Sequence, residues 1–188
     1  VKNQIILEEI TLPDVPMSVL EKYPKILAGI QKLEAEGYPI VVKDASLGGR
    51  FPVMCVTLMN PRNGGVFASF GAHPKFEVAL ERSLTELLQG RSFEGLNVLM
   101  PPTFNQNAVC EHNNIIDHFI DSTGVISWKF FSAKADFEFN EWDFSGSTRE
   151  EYDYLMGILR EVEKEIYVAD YEELGAYAAS LPEPYRLS

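Results

Sequence analysis

Apolar residues along the chain recur with two periods, and the switches between them mark the elements. Over residues 24–36, Ile26, Leu27, Ile30 and Leu33 recur at helical spacing behind Pro24, whose fixed φ suits a first helical turn. Gly37 ends that pattern and Pro39 keeps it from resuming. Ile40, Val41 and Val42 then read as a strand, and Leu47-Gly48-Gly49 as a turn. The β-rich run 52–59, the turn-forming stretch Asn60-Pro61-Arg62-Asn63-Gly64-Gly65 and a second run, 66–70, predict an antiparallel hairpin. Residues 75–89 carry the clearest helical signal. Phe76, Ala79, Leu80, Leu84, Leu87 and Leu88 fall on one arc at about 100° per residue, with Arg82, Glu86 and Gln89 on the opposite arc and Gly90 as the stop.

The second half reads less regularly. An irregular, Asn-rich stretch around 100–114 is followed by two further expected strands, 125–132 and 136–142. Thr148 and Glu151 form an expected capping box for a helix reaching about residue 165. Its buried stripe would be Tyr152, Leu155, Met156, Leu159 and Val162, and residues 166–168 could add a last strand. Adjacent strands followed by helices predict an α+β fold, a mostly antiparallel sheet with helices packed on it, rather than a doubly wound parallel sheet. No internal repeat, G-x-G-x-x-G, Walker A or G-x-S-x-G motif occurs.

Composition narrows the function. With 188 residues, 46% of them hydrophobic, the chain can bury a core as one domain or as one piece of a larger one. The formal net charge of −12 leaves no Lys/Arg excess to displace counterions from a phosphate backbone, so direct nucleic-acid binding is not expected. No run reaches the ~20 apolar residues of a membrane span. Residues 132–188 hold 14 acidic and 5 basic side chains, an asymmetry that suits a solvated face, a partner surface or a metal cluster. Cys55 and Cys110 form no C-x-x-C pair, which suggests a cytoplasmic setting.

Three constellations could carry chemistry. Arg82, Glu86 and Gln89 stand four and three residues apart, so a cation, a carboxylate and an amide share one helix face. Such a face could grip phosphate and Mg²⁺, or could be an ordinary surface ion pair worth about 0.3–0.5 kcal/mol. Cys110, Glu111, His112, Asp117 and His118 are chemically able to bind zinc, but their spacing matches no structural-zinc pattern. Gly71-Ala72-His73-Pro74 precedes the long helix and could offer backbone N–H groups to an anion or simply make a tight connection.

The run Gly71-Ala72-His73-Pro74-Lys75-Phe76 through Arg82, Glu86 and Gln89 closely resembles the block of YcaO-domain proteins in which a glycine turn leads into a helix bearing R-x-x-x-E-x-x-Q. Asp44-Ala45-Ser46-Leu47-Gly48-Gly49-Arg50-Phe51-Pro52-Val53 is similar to the family's strand–turn–Pro-Val segment. Phe119-Ile120-Asp121-Ser122-Thr123-Gly124-Val125 and Trp142-Asp143-Phe144-Ser145-Gly146 resemble the branch named after YcaO itself, and the likeness runs from about residue 8 to about residue 178.

The resemblance implies ATP with Mg²⁺, used in the family to activate an amide carbonyl oxygen by phosphorylation. By position, Arg82 would contact phosphates, Glu86 would bind Mg²⁺ directly or through water, and Gln89 would support that face. The branch is associated with aspartate β-methylthiolation of a small-subunit ribosomal protein, as accessory to a RimO-type methylthiotransferase. Residues 1–70 hold neither S-x-x-E-x-x-E nor E-x-x-E-R, two Glu-rich blocks of the family's site. Residues 1–178 are therefore expected to be the C-terminal portion of such an ATP-binding domain, with 179–188 a divergent tail, inactive without the N-terminal half. A surface left open for that half favours a homo-oligomer. The competing expectations are a non-catalytic interaction module and a small zinc enzyme at His112, Asp117 and His118.

The pattern around Cys55, which alternates with Val53 and Thr57, makes it a small buried hydrophobe. Thiol titration of the denatured, unreduced chain is expected to count two free thiols, and a count of zero would contradict this.

Overall fold

The structure is a computed structural model, and it describes residues 4–5, 10–63, 65–90, 92–97, 131–165 and 167. The chain divides into two compact units, Val1–Ser145 and Gly146–Ser188. In the first unit a short helix α1 (Met17–Leu20) and a longer α2 (Pro24–Ala35) precede three strands. These are β1 (Ile40–Asp44), β2 (Val53–Asn60) and β3 (Gly65–Ala72), and α3 (Phe76–Leu87) follows. The strands form one antiparallel sheet in the order β1-β2-β3, with Val42 opposite Val56 and Val56 opposite Ser69. The fold is α+β.

Helix α2 begins as its sequence suggests, with proline in the first turn, and ends in a glycine cap. Gly37 has φ +89°, its N–H bonds Glu34 O at 2.9 Å and the N–H of Tyr38 bonds Leu33 O at 3.2 Å. That is the pair of bonds by which a Schellman motif satisfies the last carbonyls of a helix. Helix α3 stops before Gly90, which has φ +71°.

The period-2 alternation of the strands separates two cores. On one face, Val42, Met54, Val56, Leu58 and Phe67 meet Ile26, Ile30 and Leu33 of α2 and Phe76, Ala79, Leu80 and Leu87 of α3. On the other, Cys55 and Ala68 pack with Ile5, Leu12 and Ala45. Cys55 is fully buried and forms no disulfide, as its position predicts. Burying both sheet faces is why 52–59 reads as an almost continuous apolar run instead of a clean alternation.

Residues 136–142 depart from expectation, since they form no strand. The segment is tied to the first core by side chains instead: Phe139 meets Phe76 edge-on at 6.4 Å, and Trp142 packs on the same cluster. Asp136 exchanges two bonds with Thr11, donating its N–H to Thr11 O at 2.9 Å and accepting from Thr11 N at 2.8 Å. The alternating Phe137 and Phe139 mimic a strand because every second side chain faces the protein, but no neighbouring strand pairs with the backbone. The expected strands 125–132 and 166–168 lie almost wholly outside the described residues, as does the tail 179–188.

In the second unit, α4 (Thr148–Glu161) is capped one residue earlier than the sequence suggests. Ser147 is the N-cap and Glu150 closes the capping box, its carboxylate accepting from Ser147 N at 2.7 Å. The helix is also shorter than expected. Glu163 takes φ +53° and completes a Schellman motif, with Lys164 N bonding Leu159 O at 3.0 Å. No glycine announces this stop. None of the expected stripe is fully buried, and Tyr152 and Val162 are exposed.

The tip of the β2–β3 hairpin is held by amides. Buried Asn60 donates to Leu96 O at 2.7 Å and to Asn97 Oδ1 at 3.2 Å, and accepts from Arg62 N at 3.0 Å. Asn60→Ala removes the shorter of the two bonds to Leu96 O, which keeps Asn63 Nδ2 at 3.2 Å, leaves Arg62 N without the Asn60 acceptor, and is expected to cost about 2 kcal/mol in denaturant unfolding. A change under 0.5 kcal/mol would show that the network contributes little.

Candidate functional site

Helix α3 separates its two sides cleanly. Phe76, Ala79, Leu80, Ser83 and Leu87 are buried against the sheet, while Arg82, Glu86 and Gln89 are exposed on one outward face. The three residues singled out in the sequence are therefore brought together.

Their interactions differ from those of a surface ion pair. Arg82 forms no ion pair with Glu86 or with any other described residue. In α4, Arg149 and Asp153 have the same order and spacing and do pair, at 3.1 Å. The Glu86 carboxylate is instead met by the Gln89 amide. Oriented so that both groups are satisfied, its NH₂ donates to Oε1 at 3.3 Å and also to Oε2. Gln89 thus orients a carboxylate that Arg82 leaves open.

Helix electrostatics favour a cation at this place. Glu86 lies in the last turn of α3, which holds no basic residue. The C-terminal end of a helix carries partial negative charge from unbonded carbonyls, so a carboxylate there is unfavourable without a cation beside it. A guanidinium one turn earlier presents donors suited to phosphate oxygens. The arrangement can accept an anion and a divalent cation side by side. One carboxylate alone holds Mg²⁺ poorly, and among the described residues no group of three His, Cys, Asp or Glu could hold a metal ion.

The other two constellations fare differently. Cys110, Glu111, His112, Asp117 and His118 lie outside the described residues. In the Gly71-Ala72-His73-Pro74 turn, His73 Nδ1 accepts from Lys75 N at 3.1 Å, and Lys75 does not cap α3 with its side chain. Gly71 has a reason not visible in the sequence. A Cβ there would stand 2.2 Å from Ala79 O and 2.7 Å from Ser83 N and Oγ, so the helix lies directly on the strand at this residue. Ser83, fully buried on the underside of α3, was also passed over in the sequence. The signal was available, because a serine at the centre of an otherwise apolar stripe needs a buried partner.

Comparison with known proteins places the chain as a whole beside relatives. A sequence profile described as YcaO cyclodehydratase, ATP- and Mg²⁺-binding, matches residues 1–181. The Escherichia coli protein called ribosomal protein S12 methylthiotransferase accessory factor YcaO is 55% identical over 184 residues. An uncharacterised Haemophilus influenzae protein is 58% identical over the same length. Each alignment takes in 98% of this chain but 31% of the relative, so the chain spans about a third of either protein. Among solved structures the heterocyclase TruD is similar in fold, with a TM-score of 0.53 at 18% identity, over 86% of this chain and 21% of TruD.

Because Arg82, Glu86 and Gln89 face away from the core, Arg82→Ala and Glu86→Ala are each expected to change stability by no more than about 0.5 kcal/mol. Denaturant unfolding checks this. A loss above 1 kcal/mol in either variant would assign the stripe to the fold.

Proposed function

Since this chain belongs to the YcaO family, we propose that the outward face of α3 is its contribution to an ATP–Mg²⁺ site. The observation that carries the reading is the exposed, unpaired Arg82 beside a Glu86 carboxylate oriented by Gln89. Arg82 binds phosphate oxygens, Glu86 holds Mg²⁺ directly or through water, and Gln89 keeps the carboxylate turned toward the metal. In such a site Mg²⁺–ATP supplies activation of an amide carbonyl oxygen by phosphoryl transfer. The protein's part in that chemistry is charge stabilisation and positioning, which a guanidinium and a carboxylate preset side by side on a rigid helix provide.

Mg²⁺ needs more oxygen ligands than one glutamate offers, and the remaining carboxylates come from an N-terminal half of the domain that docks against this one. Residues 1–178 then form the C-terminal portion of the site and 179–188 a tail. The physiological role carried over from the E. coli relative is that of accessory factor to a RimO-type methylthiotransferase acting on a small-subunit ribosomal protein. That role sets the protein in the cytoplasm. A second reading, a non-catalytic interaction module, is favoured by α4, whose apolar residues are nowhere fully buried and whose Tyr152 and Val162 are exposed. The α4 surface suits a protein partner or a second copy.

Calorimetric titration separates the two readings. ATP is expected to bind this chain weakly or not at all, and to bind tightly once the N-terminal half is supplied. In the completed domain Arg82→Ala is expected to weaken binding by about 1.5–3 kcal/mol. Glu86→Ala is expected to reduce Mg²⁺ dependence and turnover more than nucleotide affinity. Unchanged affinity and turnover in both variants would favour the interaction module.

A further inference from the structure

The underside of α3 meets the sheet through polar groups at one point. Ser83 Oγ lies 3.0 Å from Met54 O on β2 and 2.9 Å from Ala79 O one turn earlier in the helix. Ser69 on β3 donates its hydroxyl to Ser83 O. Gly71, two residues along β3 on the same face, leaves the gap that lets the helix backbone approach this closely. Ser69 and Ser83 are both buried, Ser83 completely.

Packing alone does not require this arrangement. On either side of Ser83, Leu80 and Leu87 rest on the sheet through apolar contacts, and alanine at 83 would fill nearly the same volume. What serine adds is direction. Apolar contacts are non-directional, whereas hydrogen bonds weaken steeply once distance or angle is lost. The bonded residue directly follows Arg82 and precedes Glu86 by three, so any shift at this seat moves both outward side chains together.

We infer that Gly71, Ser69 and Ser83 are positioning residues, setting the height and rotation of α3 and thereby where Arg82 and Glu86 stand relative to a bound nucleotide and its metal. The inference rests on the ATP–Mg²⁺ reading. A polyphosphate held from two sides tolerates little displacement, since an error of about 1 Å in a positioned group can cost on the order of 100-fold. The carboxylates supplied by the other half stay where they are while Glu86 moves, so the Mg²⁺ requirement shifts as well.

The test compares Ser83→Ala, Ser69→Ala, their double variant and Gly71→Ala with Arg82→Ala in the completed domain. Each is measured at a temperature where circular dichroism shows it folded. The double serine variant is expected to bind ATP about 10-fold more weakly and to need more Mg²⁺ for half-maximal binding, with Ser83→Cys recovering part of the loss through its weak S–H donor. Gly71→Ala is expected to lose on the order of 100-fold, and if it fails to fold the serine variants decide. Lower melting temperatures with unchanged ATP and Mg²⁺ affinities, while Arg82→Ala still loses binding, would overturn the inference alone. Unchanged affinity in Arg82→Ala would overturn the nucleotide reading and the inference with it.

Discussion

The contact on which the first unit depends is the absence of a side chain at Gly71. Helix α3 approaches β3 so closely there that a single Cβ would stand 2.2 Å from a helix carbonyl. From that approach follow the complete burial of Ala79, Leu80, Ser83 and Leu87 and the filling of the space between sheet and helices by Phe67, Phe76 and Leu58. Because interiors are close-packed, the helix cannot be lifted at one residue without opening voids along its length. The same approach fixes the outward face. With the buried arc set by the sheet, Arg82, Glu86 and Gln89 have only solvent or a further part of the protein to meet.

Charge gives that face its meaning. The chain carries −12 overall, and an isolated arginine on such a surface would be expected to settle beside one of its many carboxylates. Arg82 does not pair with Glu86, although Arg149 pairs with Asp153 in the same geometry. Exposed ion pairs gain little, so their absence is not costly in itself. It does mean that the guanidinium and the carboxylate are available at once. Gln89 contributes by directing the carboxylate with a neutral donor, which leaves its charge uncompensated.

Much of this was legible in the sequence, and the reasons for the rest are specific. Helices α2 and α3 and the β2–β3 hairpin carry their own signals: proline at a start, glycine at a stop, and a dense turn between two β-rich runs. The outward stripe of α3 followed from periodicity alone. Residues 136–142 were misread because alternation reports which side chains face the protein, not whether a neighbouring backbone is present to pair. The end of α4 was misread because Glu163 occupies a left-handed conformation that sequence associates with glycine or asparagine. Its start was misplaced by one residue because Ser147 and Thr148 each have a glutamate three residues on, and only the bonds to Glu150 decide. The bearing of Gly71 on α3 was beyond local pattern. A glycine before a helix reads as a turn or an anion site, and the collision that makes it necessary involves residues eight and twelve positions later.

That distance along the chain connects fold and proposed chemistry. A phosphate-binding loop places its ligand through the backbone of the loop itself, so its glycines sit next to the ligand. Here the glycine and the outward side chains lie on opposite sides of one helix, and in the proposed site the glycine would act through the helix as a rigid body. Such a design separates two requirements. The buried side must supply a close, directional seat, which limits residues 69, 71 and 83 to small or hydrogen-bonding types. The outward side is then free to carry charge without disturbing the core. The unpaired state of Arg82 is therefore compatible with a stable fold, because the packing beneath it does not depend on what the guanidinium touches.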